Sequence, residues 1–424
     1  MPTSTLCSRS SRRASSATQT EFWMLETIRE FAEERLEDGG SAAKTQLAHA
    51  EYYLALAEAA EPELRAGGEQ PAWMDRLETE YGNIRAALQW WALDPSADGL
   101  ERFLAAIFRF WEIRPRFTEA EMWFGRALAR SSAASQPLQA QVLFAAGRSA
   151  RWSNDARLAV ERLDRALVLF RHLGDDRATS ACVGFLSNVL LIVEDDDGAE
   201  ALSREAVERA HASGDALTLA NALHNRGVLL REKGDAEAAT ECLRGALATF
   251  REFRMNSGMA NALVNLGLAE LGRGDYPRAC EYLSEGLEVS ASLGESGWRT
   301  MTLRALSHHA LLSGQPADTL AFATDALELA RRQGDEELIL AALMDVASAC
   351  VASDERIRGA RLAGAADQRH ARFSSFWSSD DQRIWARFMP TRESLADAAE
   401  ARAWDSGAAL SLDEAVAEGL SRAA

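Results

Sequence analysis

The sequence predicts an all-α fold, a solenoid of stacked helical hairpins, and three observations carry that prediction. Small residues recur every forty positions at Gly147, Ser187, Gly227, Gly267, Ser307 and Ala347, and again at Ala159, Ala199, Ala239, Ala279 and Thr319. A third series, Ala166, Ala206, Ala246, Gly286 and Ala326, is followed each time by a large apolar residue: Leu167, Val207, Leu247, Leu287 and Leu327. Turn signals keep the same step. Gly234-Asp235, Gly274-Asp275 and Gly314-Gln315 mark one corner; Gly174-Asp175, Gly214-Asp215, Gly294-Glu295 and Gly334-Asp335 mark the other. A fixed period of this length belongs to repeat folds, whose units stack because one hairpin alone cannot bury its apolar face. Gly accepts the left-handed conformation past a helix end, and the Asp after it caps the next helix. The small residues let paired helices approach, with Leu or Val filling the groove beside them.

The elements follow in order. Residues 1–20 are rich in Ser, Thr and Arg without an acid, a composition that imitates a targeting peptide but is expected to be a disordered leader or a mis-started segment. Residues 21–95 open with a short apolar stretch, Glu21 to Leu25, expected as a strand. Thr27-Ile28-Arg29-Glu30 then forms a capping box, and Gly39-Gly40 stop its helix. Ser41 starts a second helix, and a third after Pro71 carries Trp73, Leu77, Ile84, Leu88 and Trp91 at helical spacing. Residues 96–137 form an atypical first hairpin. Phe103, Leu104, Ile107, Phe108 and Trp111 line one helix; Met122, Trp123 and Leu128 line the other, across the turn Pro115-Arg116-Phe117-Thr118. Residues 138–353 are the forty-residue array, whose corner near Arg254 lacks its Gly and should be irregular. Residues 354–424 are expected as a helical cap closing the open end. They hold the second helix of a last hairpin to about His370, a helix with Ile384, Trp385 and Phe388 stopped by Pro390, a helix from about Arg392 to Trp404, and a capping box at Ser411-Leu412-Asp413-Glu414.

The segment Asn265-Leu266-Gly267-Leu268-Ala269-Glu270-Leu271-Gly272-Arg273-Gly274-Asp275-Tyr276-Pro277-Arg278-Ala279 resembles the tetratricopeptide (TPR) repeat in its LG pair, its GDY corner and the Ala that follows. That resemblance implies a right-handed superhelical solenoid, here with a longer step and longer helices. Met24-Leu25-Glu26-Thr27-Ile28-Arg29-Glu30-Phe31-Ala32 resembles the LLETIREYA motif of large bacterial signal-transduction (STAND) ATPases. Similar blocks are His49 to Ala57, Trp73, Arg76-Leu77-Glu78, Asn83 to Leu88 and Leu410 to Val416. The resemblance, to LuxR-type and predicted-ATPase transcriptional regulators, covers about Phe22 to Leu420. It implies a winged-helix remnant and helical arm over residues 21–95, followed by the TPR sensor half of an architecture whose ATPase and DNA-binding domains are absent here.

Composition narrows the function. The chain has 424 residues, 47% of them hydrophobic and 26% charged, with a formal net charge of -18. That charge opposes direct nucleic-acid binding, which needs clustered cations. Five cysteines without CxxC spacing point to reduced thiols and a cytoplasmic protein, and no apolar run reaches membrane-span length. Gly39-Gly40-Ser41-Ala42-Ala43-Lys44-Thr45 misses the P-loop: Asp38 and Ala43 stand where its two glycines belong, so no nucleotide binding is expected there. The adjacent pair His308-His309 and the acids Glu194 to Asp197 lack the spacing of a zinc or calcium site, so no metal and no cofactor is expected. No GxSxG, HExxH or Cys–His pattern supports a nucleophile, and catalytic residues are expected to be none.

Polar registers on the first helix of each hairpin are the candidate site. Asn221 and Asn261 share one register and Asn225 and Asn265 another; His224 and Arg304 share a third; Arg148, Asn188 and His308 share a fourth. These nine residues are expected to face the concave groove and take a protein partner or a small effector, against the competing expectation that the amides merely bridge neighbouring helices. The chain therefore reads as the sensor and protein-interaction module of a transcriptional regulator, or as a free-standing adaptor that scaffolds partners.

Overall fold

The structure is a computed structural model that describes residues 42–66, 69–93, 98–129, 134–294, 297–373 and 378–421. It divides at Ala50 into two units. Of the first, only Ala42–His49 are described, as the opening turns of a helix; the account below concerns the second. The expected leader, the strand at Glu21–Leu25, the Thr27–Glu30 capping box and the Gly39-Gly40-Ser41 start of the P-loop-like stretch lie outside the described residues; Ala42 to Thr45 of that stretch are helical.

Twenty α-helices and no strand occur among the described residues. They are α1 (Ala42–Ala66), α2 (Gln70–Thr79), α3 (Tyr81–Leu93), α4 (Gly99–Ile113), α5 (Phe117–Ala129), α6 (Gln136–Trp152), α7 (Ala156–Leu173), α8 (Asp176–Ile192), α9 (Asp196–Ser213) and α10 (Ala216–Glu232). There follow α11 (Ala236–Glu252), α12 (Asn256–Arg273), α13 (Tyr276–Ala291), α14 (Gly297–Leu312), α15 (Pro316–Gln333), α16 (Glu336–Ala352), α17 (Arg356–Phe373), α18 (Ser379–Phe388), α19 (Ala398–Ala408) and α20 (Leu412–Leu420). From α6 to α17 they pair as antiparallel hairpins stacked side by side, the predicted solenoid. The helix expected after Pro71 is two helices, broken at Glu80. In the first hairpin Trp123 is buried and Leu128 packs on the core as expected, but Met122 is exposed and Phe124 is buried beside Trp123.

The corners explain the period. A left-handed residue stands every twenty positions: Asn154, Gly174, Glu194, Gly214, Gly234, Arg254, Gly274, Gly294, Gly314, Gly334 and Asp354. The corner at Arg254 is not irregular as expected; Arg254 takes the glycine conformation at φ 53°. The Asp that follows most corners caps the next helix, the side chains of Asp155, Asp175, Asp195, Asp215, Asp235, Asp275 and Asp335 each accepting a backbone N–H three residues on. The small-residue series marks where hairpin helices touch. A Cβ on Gly147, Gly227 or Gly267 would fall 2.6, 2.6 or 2.4 Å from Leu163, Leu243 or Leu283. Where the series has Ser307, its hydroxyl donates to the Thr319 carbonyl oxygen at 3.0 Å.

Two features go beyond a simple stack. The arm folds across the solenoid: Gln70 donates to Ser257 Oγ (3.2 Å) and accepts from the Ser257 N–H (3.1 Å), and Arg109 donates to the same hydroxyl at 2.7 Å. The corner between α4 and α5 meets the start of α14, with Pro115 against Gly297 and Trp152 edge-on to Trp298 at 6.5 Å. The tail also departs from a plain cap. The expected helix from Arg392 is a short 3-10 turn, Arg392–Ser394, before α19. The capping box at Ser411 and Glu414 is present. Helices α19 and α20 do pack on the last hairpins: the Trp404 carbonyl sits against Gly364, and Leu327 and Leu343 sit against Gly419. Helix α18 instead runs back into the concave face.

Candidate functional site

The concave face holds an open-sided cavity of ≈ 740 Å³. Its walls come from the first helix of successive hairpins, α6, α8, α10, α12, α14 and α16. The corner around Pro115 and Phe117 closes one side; the start of α18, through Ser378, Ser379, Asp381 and Gln382, closes another. Long apolar residues, among them Val189, Val228, Val264, Leu268 and Met301, make the floor, because each first helix turns one apolar stripe to its hairpin partner and a mixed stripe inward. Aromatic rings line the rim, with Phe117 stacked on Trp152 at 6.0 Å.

Asn188, His224, Asn225, Asn261, Asn265, Arg304 and His308 all line this cavity. Asn221 and Arg148 do not. Asn221 is exposed outside the cavity, its amide donating to the Leu217 carbonyl one turn back at 2.9 Å, although Asn261 in the same register lines the cavity. Arg148 is held beneath the groove by Glu112 (2.5 Å), its guanidinium 5.3–5.6 Å from the rings of Phe108, Phe144 and Phe185.

The amides divide in role. Asn265 donates to the Asn261 side chain and carbonyl, both at 2.9 Å, within one helix. Asn188 Oδ1 and His224 Nε2 are buried without a hydrogen-bond partner among the described residues. Burial pushes the His224 imidazole down to about 4, against the nearby Asn225 and Asn261 amides, so it is neutral at pH 7.

Charge is concentrated at the α18 end. Asp345, buried on α16, accepts from Arg304 Nε at 2.8 Å and Trp385 Nε1 at 2.9 Å, and pairs with His308 Nε2 at 2.8 Å. Arg304 Nη2 also donates to Asp381 of α18 at 2.7 Å. Burial works against each of these charges, but the partners outweigh it: Asp345 is lowered by Arg304 and His308, while Arg304 and His308 are raised, chiefly by Asp345. A second cluster joins Arg231 to Asp380 and Glu232, and Glu232 accepts the Ser379 N–H at 2.7 Å. Asp380 stays raised, because its burial outweighs Arg231. Half-buried Glu337 is pushed up to about 7 by enclosure in the walls, opposed by Arg151.

Sequence reasoning missed Arg231, Asp345, Asp380, Asp381 and Trp385. Asp345 lies forty residues after Ala305 and eighty after Asn265, in the Asn225 register, and extending that register would have found it. Nothing in the sequence places α18 against a helix about 150 residues earlier.

Comparison with known proteins is consistent with this geometry. Family profiles for the tetratricopeptide repeat match residues 219–252 and 258–357. Those residues are tetratricopeptide repeats. A Mycobacterium tuberculosis protein named "Putative HTH-type transcriptional regulator" is 27% identical over 283 residues, 63% of this chain and 31% of that protein. The "Regulatory protein AfsR" of Streptomyces coelicolor is 34% identical over 137 residues, 32% of this chain and 13% of that protein. The chain thus spans less than a third of either relative. Among solved structures, a Rap protein complexed with Competence and Sporulation Factor shares the fold at TM-score 0.52 and 16% identity, over 80% of this chain and 97% of that one. The tetratricopeptide helices of this chain are the ones that build the cavity walls from α10 to α16. Among the described residues no three His, Cys, Asp or Glu cluster to hold a metal, and no helix is long and apolar enough to cross a membrane.

Proposed function

We propose that the chain is the tetratricopeptide sensor module of an ATP-dependent, LuxR-type transcriptional regulator of the signal-transduction ATPase class. It acts in the cytoplasm without catalysis of its own and binds an effector or partner protein in its concave groove. The relatives named as a putative HTH-type transcriptional regulator and as a regulatory protein support the regulator part of that reading; its ATP-dependent, LuxR-type part rests on the sequence motifs described above. The observation that carries the second is the open-sided cavity lined by Asn188 and His224, with Asn188 Oδ1 buried and without a hydrogen-bond partner among the described residues. A buried polar atom without a partner costs stability unless something supplies one, so Asn188 marks where a ligand's polar groups gain most. Donors and acceptors at this spacing suit a peptide backbone, with the apolar floor taking its side chains.

The test uses the whole chain as bait in extract of its own organism, wild type against Asn188→Ala with Asn225→Ala. Thermal melting is followed on the same samples, and partner recovery should fall severalfold from a variant that remains folded. Unchanged recovery from a folded variant overturns the groove reading. A free-standing adaptor is the second reading. It predicts recovery of partners with no ATPase or DNA-binding polypeptide among them.

A further inference from the structure

Helix α18 occupies the groove in an unusual way. Its first residues, Asp380 and Asp381, are inserted between α10 and α14 and are 7% and 9% exposed. Asp380 pairs with Arg231, and Asp381 with Arg304 at 2.7 Å. The N–H of Ser379 reaches Glu232, and Ser378, Ser379, Asp381 and Gln382 form one wall of the cavity. The α10 contacts are polar. The apolar part of α18, Ile384 and Trp385, is buried in the core that includes α16. A ten-residue helix has little stability of its own, so the charged pairs at its start, the buried Ile384 and Trp385 and the Trp385 bond to Asp345 at 2.9 Å together position it.

The rest of the tail is anchored without α18. A Cβ on Gly407 would fall 1.9 Å from the Arg361 carbonyl oxygen, and one on Gly364 2.3 Å from that of Trp404, so α19 and α17 lie backbone to backbone. Arg358 donates to the Gly419 carbonyl at 3.1 Å and the Ser421 carbonyl at 2.5 Å, fixing α20. Arg392 holds Asp405 at 2.7 and 3.0 Å, tying the turn after α18 to α19. Undocking α18 leaves the solenoid capped and uncovers two arginines next to the cavity. Arg304 then keeps Asp345 and Arg231 keeps Glu232, and each has guanidinium N–H groups freed for a further carboxylate, which a planar guanidinium prefers to a point anion.

We infer that α18 is a displaceable internal ligand of the groove, and that the partner which replaces it is an acidic protein segment presenting two adjacent carboxylates to Arg231 and Arg304. The inference rests on the sensor reading above and gives its ligand a chemistry. The internal helix keeps the site filled; an acidic segment binds only to the fraction of molecules whose α18 is undocked. That segment gains the two arginines and the polar wall at Asn188 and His224 together.

A fluorescein-labelled peptide of the chain's own residues 378–388 is the probe, its anisotropy followed on titration with the full chain. In the Asp380→Asn, Asp381→Asn variant the internal competitor is weakened. The peptide should bind that variant about tenfold more tightly than wild type, because apparent affinity scales with the open fraction. Raising salt to about 0.5 M should weaken binding, and a peptide with both Asp changed to Asn should not bind. Equal affinity for wild type and folded variant, or binding that ignores the peptide's acids, overturns the inference. Hydrogen exchange on the wild type gives a reading even if the variant fails to fold. Amides of α18 should exchange about tenfold faster than those of α16, and equal protection overturns the inference. If α18 proves fixed while Asn188→Ala with Asn225→Ala still loses its partner, the sensor reading stands and the acidic ligand falls. If those amides do not matter but the peptide binds the variant, the reverse holds.

Discussion

Replacing Asp345 by Ala removes the acceptor at the centre of the charged cluster. Asp345 is 2% exposed and accepts from Arg304 and Trp385 and pairs with His308, at 2.8–2.9 Å. Taken singly, three charge-assisted bonds at about 1.5–3 kcal/mol each set a ceiling of about 9 kcal/mol. They are not independent. Arg304 keeps Asp381 at 2.7 Å, whereas His308 retains Asp381 at 3.9 Å and the Trp385 indole loses its bond to Asp345. The loss of one member of a buried ionic group then sets the scale, and Asp345→Ala should destabilise the chain by about 3–5 kcal/mol. Asp345→Asn, which can still accept from one donor, should cost less. Urea denaturation followed by circular dichroism measures both. A loss below about 1 kcal/mol for Asp345→Ala would refute the assignment of Asp345 as the anchor of this cluster.

Other expectations follow from the same geometry. Gly267→Ala forces a Cβ to within 2.4 Å of Leu283 and should cost about 1–3 kcal/mol by overpacking, read as a lowered urea midpoint. Arg254→Gly should raise stability, because Arg254 holds φ 53° and a non-glycine residue there costs about 1–2 kcal/mol. Asp235→Ala removes the cap on Ala238 N–H and should cost about 1 kcal/mol. His224, held at about 4 in the fold, contributes stability that is complete above its unfolded value of about 6.5 and is lost as pH falls toward 4. His224→Gln should flatten that acid-side loss. His308 is raised and acts in the opposite sense: its contribution is full below about pH 6.5 and is lost as pH rises through its folded value.

Much of the fold was legible because the period writes itself into small residues. Gly147, Gly227 and Gly267 sit where helices touch, and the Gly-Asp corners mark each turn, so spacing alone gave the hairpins. The corner at Arg254 misled for a physical reason: the stack over-determines the turn, and Arg tolerates the left-handed conformation there. Within the site, helical registers placed Asn188, His224, Asn225, Asn261, Asn265, Arg304 and His308 on one wall. They failed for Asn221, whose amide turns back to its own helix at Leu217, and for Arg148, held by Glu112. The insertion of α18 was not legible, since periodicity speaks of neighbours and Asp380 meets a helix far back in the chain. The closure of Gln70 and Arg109 on Ser257 escaped for the same reason.

The central claim is that the concave groove recognises the partner, and a photo-crosslinking amino acid tests it most directly. Placed at Val228, on the cavity floor, it should form a specific adduct in cells of the source organism. Placed at Val168, 67% exposed on the second helix of a hairpin and away from the cavity lining, it should not. An adduct at Val228 that disappears with Asn188→Ala and Asn225→Ala is the predicted result; an adduct at Val168, with Val228 silent in a folded chain, would contradict it.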